Sequence, residues 1–283
     1  MSWQLLTLIS VLTLSVSVLL QRILLHKDKL DPYAYAVTFQ CLVGLLLSIF
    51  AVYHGAKFPG MSSLLVPAAI AIVAFGVGHI LYAKTLQIVE ASTFSVLFAS
   101  QAIWIMLLGI VLFNEALTLV QICGSLLIFS SVGLLVKDWK NFKLDKGTAL
   151  GLLTGVLFGI AITSWSYVGK HTDGLSWTAA SFIGTALVSL AIKPSTSHKI
   201  AGLLGHKTLI KLLILAAFYG AGSLAMLYAY NKGTFAVVTP LRQTSIIVTT
   251  VLALLFLSAE RTRIGIKVIA AILSFIGVLL IVV

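Results

Sequence analysis

Long apolar runs recur along the whole chain, separated by short polar turns. A bilayer core of roughly 30 Å is crossed by about 20 helical residues. By that measure the pattern predicts ten membrane spans, at 3–25, 33–53, 64–88, 91–113, 117–136, 148–169, 176–192, 208–230, 234–257 and 263–283. The runs are continuously apolar and do not alternate, so they predict helices and exclude a membrane barrel. The longest connections, 137–147 and 193–207, are too short to fold alone, so no soluble domain is expected. The first run has no basic leader and no small-residue cleavage site, and reads as a first span and not as a removed signal.

The runs also repeat. Leu81-Tyr82-Ala83 recurs as Leu227-Tyr228-Ala229, 146 residues later. Glu115 recurs as Glu260 after 145 residues, and Gly133 as Gly277 after 144. Three markers in one order at a nearly constant offset predict two related halves, 1–143 and 144–283, of five spans each. An odd number of spans forces the second half to enter the membrane upside down. The expected fold is therefore an all-α membrane protein, ten transmembrane helices as two inverted five-helix repeats. Such a design carries its site between the halves, near the midplane.

Ten short-looped spans in two halves, with a glutamate after the fourth span of each, resemble the EamA-type members of the drug/metabolite transporter superfamily. In this sequence the motif reads Phe113-Asn114-Glu115-Ala116-Leu117-Thr118, followed by Gly124 and Gly133. The second copy, Ser258-Ala259-Glu260-Arg261-Thr262, lacks the first of those glycines, and Thr239-Pro240-Leu241-Arg242-Gln243 is also similar to the family. The resemblance implies a carrier of small organic metabolites in the cytoplasmic (inner) membrane, working by efflux or exchange more often than uptake.

Composition agrees with the runs. The 283 residues are 60% hydrophobic and 10% charged, against about 45–50% and 25% in soluble domains. The net charge of +11 would suggest nucleic acid in a soluble protein, but here it concentrates in alternate loops, so no nucleic-acid partner is expected. Connections after odd-numbered spans hold Arg22, Lys27, Lys29, Lys137, Lys140, Lys143, Lys146, Lys193, Lys199, Lys207, Lys211, Arg261, Arg263 and Lys267. Those after even-numbered spans hold Lys57, Lys170 and Lys232. The positive-inside rule then places the odd connections in the cytoplasm and both termini outside. The resemblance implies the opposite, both termini inside.

Polar groups inside the spans need a reason to be there. Arg242 lies about eight residues into the ninth span, roughly 12 Å along a helix. The eight acids all fall in loops or at span ends: Asp28, Asp31, Glu90, Glu115, Asp138, Asp145, Asp173 and Glu260. Either Arg242 faces the central cavity and grips an anionic group with its two-pronged guanidinium, or it binds backbone carbonyls and holds its span. Ser245, three residues on, shares its face. His79 either relays a proton or bonds a neighbouring helix. Tyr82 and its repeat mate Tyr228 either line a midplane cavity or belong to the interface belt. Gln101 and Gln40 either bind a polar solute or join helices, and Trp165 either stacks on substrate or sits at the interface. Glu90 is expected to cap the fourth span.

Gly147, Gly151, Gly155 and Gly159 recur every four residues and give span six one smooth face, for packing between halves or for a homodimer. Gly76, Gly78, Gly220 and Gly222 permit either bending or close packing. Cys41 and Cys123 lie in apolar runs and read as packing thiols. No metal cluster and no cofactor is expected. The function read from the sequence is a secondary transporter of a small organic metabolite, anionic or zwitterionic, by alternating access. The alternatives are a proton-coupled multidrug or cation exporter, which would need a carboxylate within the membrane, and a non-transporting receptor or scaffold. An enzyme is not expected, since the spans offer one histidine and no buried acid.

Overall fold

The computed structural model describes residues 1–57, 64–113, 118–135, 145–232, 238, 241–242, 244–257 and 262–282. Glu115, Glu260, Pro240 and Gln243 fall outside the described residues. The described residues form helices and no strand. In chain order they are α1 (Trp3–Arg22), α2 (Pro32–Tyr53), α3 (Leu65–Ile88), α4 (Ala91–Ala99), α5 (Gln101–Phe113), α6 (Leu119–Leu135), α7 (Lys146–His171), α8 (Gly174–Ile192), α9 (Ser197–Leu203), α10 (His206–Lys232), α11 (Ser245–Phe256) and α12 (Ile264–Val282). Among them, eight helical spans are long and apolar enough to cross a membrane, with Leu119–Leu135 and Ser245–Phe256 as shorter apolar helices. This is a membrane protein with multiple spans.

Local chemistry sets where the helices begin. Asp31 accepts from the Tyr33 and Ala34 N–H groups, and Pro32 opens α2 with its φ already helical. Asp145 does the same for Gly147 and Thr148, and Asp173 for Ser176. Gly55, at φ +76°, follows α2 in the left-handed conformation that ends a helix cheaply only in glycine. Glu90 stands at the N-cap position of α4, but its side chain makes no cap bond there, because its carboxylate is taken by Lys267 and Thr262. The capping role expected of it is therefore corrected. The 193–207 connection is more ordered than its length implies: it folds α9, whose Leu203 is buried in the core.

The span expected at 91–113 is broken. Ser100 separates α4 from α5, its N–H and its hydroxyl both bonded to the Leu97 carbonyl. A bond to the residue three back tightens the turn, and serine is a common cause of such kinks. The ninth span is broken too: Leu241 and Arg242 are helical, Thr244 turns back on the Leu241 carbonyl, and α11 starts at Ser245. The helices after the two breaks, α5 and α11, start 144 residues apart, at Gln101 and Ser245.

Packing pairs α3 with α7, α1 with α10, α2 with α8 and α6 with α12 most broadly. α5 also packs on α7, α11 on α1, α3 on α8, α10 on α2 and α4 on α11. Glycines set the closest approaches. A Cβ on Gly78 would meet the Phe158 ring at 3.1 Å, and one on Gly222 would meet Thr13 Oγ1 at 2.6 Å. Gly76 faces Val188 equally tightly, whereas Gly220 faces open space. Helices α3 and α10 run unbroken through these positions, so three of the four glycines serve packing and none a bend. The smooth face of α7 is likewise covered within the chain: Gly151 lies against Leu97, Gly155 against Ser100 and Gly159 against Trp104. That face is not free for a second copy.

Contacts sort the connections to two ends. At one end Lys211 pairs with Asp28, Lys199 with Asp31 and Lys267 with Glu90, and Arg22 donates to the Leu86 carbonyl. The connections after α1, α3, α8 and α11 thus meet at what we call the basic end. At the other, Lys232 reaches the Met1 carbonyl and Gln121 the Ile281 carbonyl, each at 3.5 Å, so Met1 and Ile281 both lie at that end. Arg22 is not a loop residue but closes α1, 7% exposed.

Candidate functional site

α1 carries a buried polar stripe through an apolar helix: Thr7, Ser10, Ser17 and Gln21. Three- and four-residue spacing places these on one face. Ser10 donates to the Gly222 carbonyl at 2.7 Å, and Ser15, beside the stripe, reaches the Ser245 carbonyl at 3.5 Å. α1 is thereby fixed between α10 and α11, through bonds worth about 0.6 kcal/mol each in a membrane. At the basic end of the stripe the Gln21 side chain partners the Tyr82 hydroxyl.

Tyr82 is one of three phenols that converge in the interior. Tyr35 and Tyr219 lie within electrostatic reach of it and of each other. Tyr35 stacks on Phe39 at 5.6 Å, and Phe39 meets Tyr219 edge-on at 5.1 Å, with Phe182 beyond. On the other side Tyr82 packs edge-on against Phe94 at 4.6 Å and Phe98 at 5.6 Å. Phe98 meets Phe158 at 4.8 Å. The Tyr35 hydroxyl is buried with no hydrogen-bond partner among the described residues. An orphaned buried hydroxyl is costly, and its donor is free for a ligand.

Arg242 joins this cluster from the second half. Its guanidinium lies within Coulombic reach of the Tyr219 hydroxyl, and among the described residues no carboxylate pairs with it. Ser245 begins α11 just beyond, partly accessible like Arg242 itself. The cluster therefore combines a guanidinium, three phenol hydroxyls and a glutamine amide, drawn from α1, α2, α3, α10 and the break before α11. Every one of these groups can donate a hydrogen bond, so the arrangement suits an acceptor-rich, negatively charged group.

The other expected residues are placed differently. His79 Nδ1 donates to the Phe75 carbonyl of its own helix, 2.9 Å away, and its ring rests on Phe158 at 4.8 Å. It backs the aromatic wall and, among the described residues, bonds no neighbouring helix. Gln101 opens α5 at the first break, its Oε1 buried without a partner among the described residues. Gln40 is fully buried and, among the same residues, likewise unpartnered at both polar side-chain atoms. Tyr228 is not across the cavity from Tyr82: it packs near Leu6, Met226 and Ala229 at the end of the termini. Trp165 donates to Ser181 at 3.2 Å and packs on Trp177 and Leu64, away from the phenols. Tyr35, Tyr219 and Gln21 were not expected. The stripe of α1 was readable as polar residues on one helix face; the two tyrosines had no separate signal.

Cys41 is partly buried and Cys123 exposed; both are free thiols.

Comparison with known proteins gives three findings. The model of the EamA-like transporter family matches residues 1–137 and 145–283. An uncharacterized protein of Methanocaldococcus jannaschii is 27% identical over 137 residues, which make up 48% of this chain and 96% of that protein. A solved crystal structure aligns over 98% of this chain and 94% of its own, with a TM-score of 0.56 at 16% identity, a likeness of fold alone.

Proposed function

Because the chain belongs to the EamA-like transporter family, we propose that it carries a small organic anion or zwitterion across the cytoplasmic membrane, by export or exchange. Two inverted five-helix halves, 1–143 and 144–283, rock about the phenol–arginine cluster and expose it to each side in turn. Exchanging the halves (α1 for α7, α2 for α8, α3 for α10, α4 and α5 for α11, α6 for α12) maps the observed helix pairings onto one another, which supports this reading. So does the relative whose length is close to one half, and so do the two broken spans at corresponding positions.

The observation that carries the substrate class is Arg242, a guanidinium in the interior beside Tyr219 with no carboxylate partner among the described residues. It grips a carboxylate or phosphate with two parallel bonds, while Tyr35, Tyr82 and Gln21 orient the remainder. Ser245 and Gln101, at the two helix breaks, line the same pathway.

The test is a thermal-shift screen of the purified protein with organic acids, amino acids, sugars, nucleotides and organic cations. A ligand at 100 times its Kd stabilises the folded form by about 2.7 kcal/mol. Stabilisation by an organic anion, lost in Arg242→Lys because the two-pronged grip is lost, is the expected result. Response to cations alone, or an unchanged response in the variant, overturns the assignment.

A further inference from the structure

Three ion pairs at the basic end share a polarity. Asp28–Lys211, Asp31–Lys199 and Glu90–Lys267, at 2.6, 2.6 and 2.5 Å, each join a carboxylate of the first half to a lysine of the second. They sit on the helices that carry the cluster. Asp31 caps α2 one turn from Tyr35, Glu90 follows the α3 helix that holds Tyr82, and Lys211 is two turns from Tyr219 along α10. At 1.5 Å per residue the pairs lie roughly 6–12 Å to the basic side of the phenols. Between them is a packed apolar layer, Leu24, Leu25, Leu86, Leu212 and Leu215, each at most 2% exposed.

The pairs differ in weight. The lysines of the first two are half exposed, whereas the Lys267 side chain is 4% exposed. Its Glu90 partner also accepts from Thr262 at 3.1 Å. Separating a buried pair pulls two charges apart in a poorly solvated place, so this pair resists opening most. The lysines are only partly matched in the first half: shifted by the 145 residues that separate Glu115 from Glu260, Lys211 and Lys267 correspond to Val66 and Ile122, and Lys199 to His54.

We propose that Glu90–Lys267, with its two exposed companions, is the latch that closes the pathway at the basic end. This rests on the alternating-access reading above. Opening toward the basic side separates the halves there, so these pairs break in every cycle, and their strength sets how much of the population faces that side.

Ser245→Cys in a Cys41→Ser, Cys123→Ser background supplies the probe. A membrane-impermeant maleimide is applied to right-side-out and to inverted vesicles, so that each face is tested separately. The parent should label slowly from the basic face. Glu90→Gln and Lys267→Gln should label about tenfold faster from that face, the order by which losing one such contact shifts a two-state equilibrium. Should either fail to fold, Asp28→Asn with Lys211→Gln should shift labelling in the same direction, and the exchanged pair Asp28→Lys with Lys211→Asp should restore the slow rate. Unchanged basic-face labelling in the folded variants, or a swap that labels as fast as the double neutralisation, overturns the latch. Labelling that responds as expected while no solute crosses leaves the latch standing and removes the transport reading. Flux with unresponsive labelling removes the latch alone.

Discussion

Helices α6 and α12 meet backbone to backbone, and a single methyl group tests that contact. A Cβ added to Gly124 would stand 2.5 Å from the Gly277 carbonyl oxygen and 3.0 Å from Ile281 Cγ1 and Leu280 Cβ. The reverse holds for Gly277, whose Cβ would lie 2.6 Å from the Gly124 carbonyl. Comfortable contact begins near 3.4 Å, so Gly124→Ala pushes the helices apart by about 1 Å. The separation reaches Ile128, Val278 and Ile281, which are buried in the same interface. Overpacking of this kind costs about 1–3 kcal/mol, against about 1 kcal/mol regained from alanine's better helix propensity. The expected net loss is about 0–2 kcal/mol. Gly265, on the same α12, has nothing within 4 Å of its Cβ position, and Gly265→Ala should be neutral or slightly stabilising. The assay is reversible unfolding in mixed micelles, followed by circular dichroism over a denaturant titration. Adding Gly277→Ala to Gly124→Ala should cost less than the two single losses together, because the first methyl has already opened the gap. Equal shifts for the alanines at 124 and 265 would refute the close-approach argument.

Gly159→Ala should destabilise by about 1–3 kcal/mol, since its Cβ would meet Trp104 Cβ at 2.5 Å and the Gln101 carbonyl at 3.3 Å; a changed oligomeric state with unchanged stability would place that face in a dimer instead. Burial alone would raise the Asp31 carboxyl, but the Lys199 hydrogen bond, the Ala34 N–H and the charges of Lys199 and Lys193 outweigh it and hold it below its ordinary 3.8. The stability this contributes is complete above that value and lost as pH falls through the lower folded one. Unfolding profiles of the parent and Asp31→Asn should therefore converge below about pH 4. A reporter active only in the cytoplasm, fused after the last residue, should stay silent if the basic end faces the cytoplasm; strong signal would reverse the orientation.

Most of the span positions were legible because a bilayer crossing leaves a continuous apolar run that no packing detail can disguise. The two breaks were not. Hydropathy averages over a window, and a single small hydroxyl residue such as Ser100 or Thr244 barely moves that average. Arg242 was legible as a charge where lipid tolerates none, and Tyr82 through its repeat. Pairing Tyr82 with Tyr228 misread the repeat. Tyr82 lies six residues from the basic end of α3, while Tyr228 lies four from the other end of α10. Equivalent residues in oppositely directed helices stand at opposite depths, not across a shared cavity. Tyr35 sits near the start of α2, a depth at which tyrosine ordinarily anchors to the interface, and only the tertiary structure turns it inward.

The segregation of connections between two ends bears on how the chain is made. α7 begins at the basic end, where Gly147 lies against Val89, and the sequence just before it is rich in lysine. The positive-inside rule expects a sequence with Lys137, Lys140, Lys143 and Lys146 to be retained in the cytoplasm and so to orient α7 before the charges that follow it are made. Moving those four lysines to the sequence between α2 and α3 would then give the membrane machinery contradictory instructions.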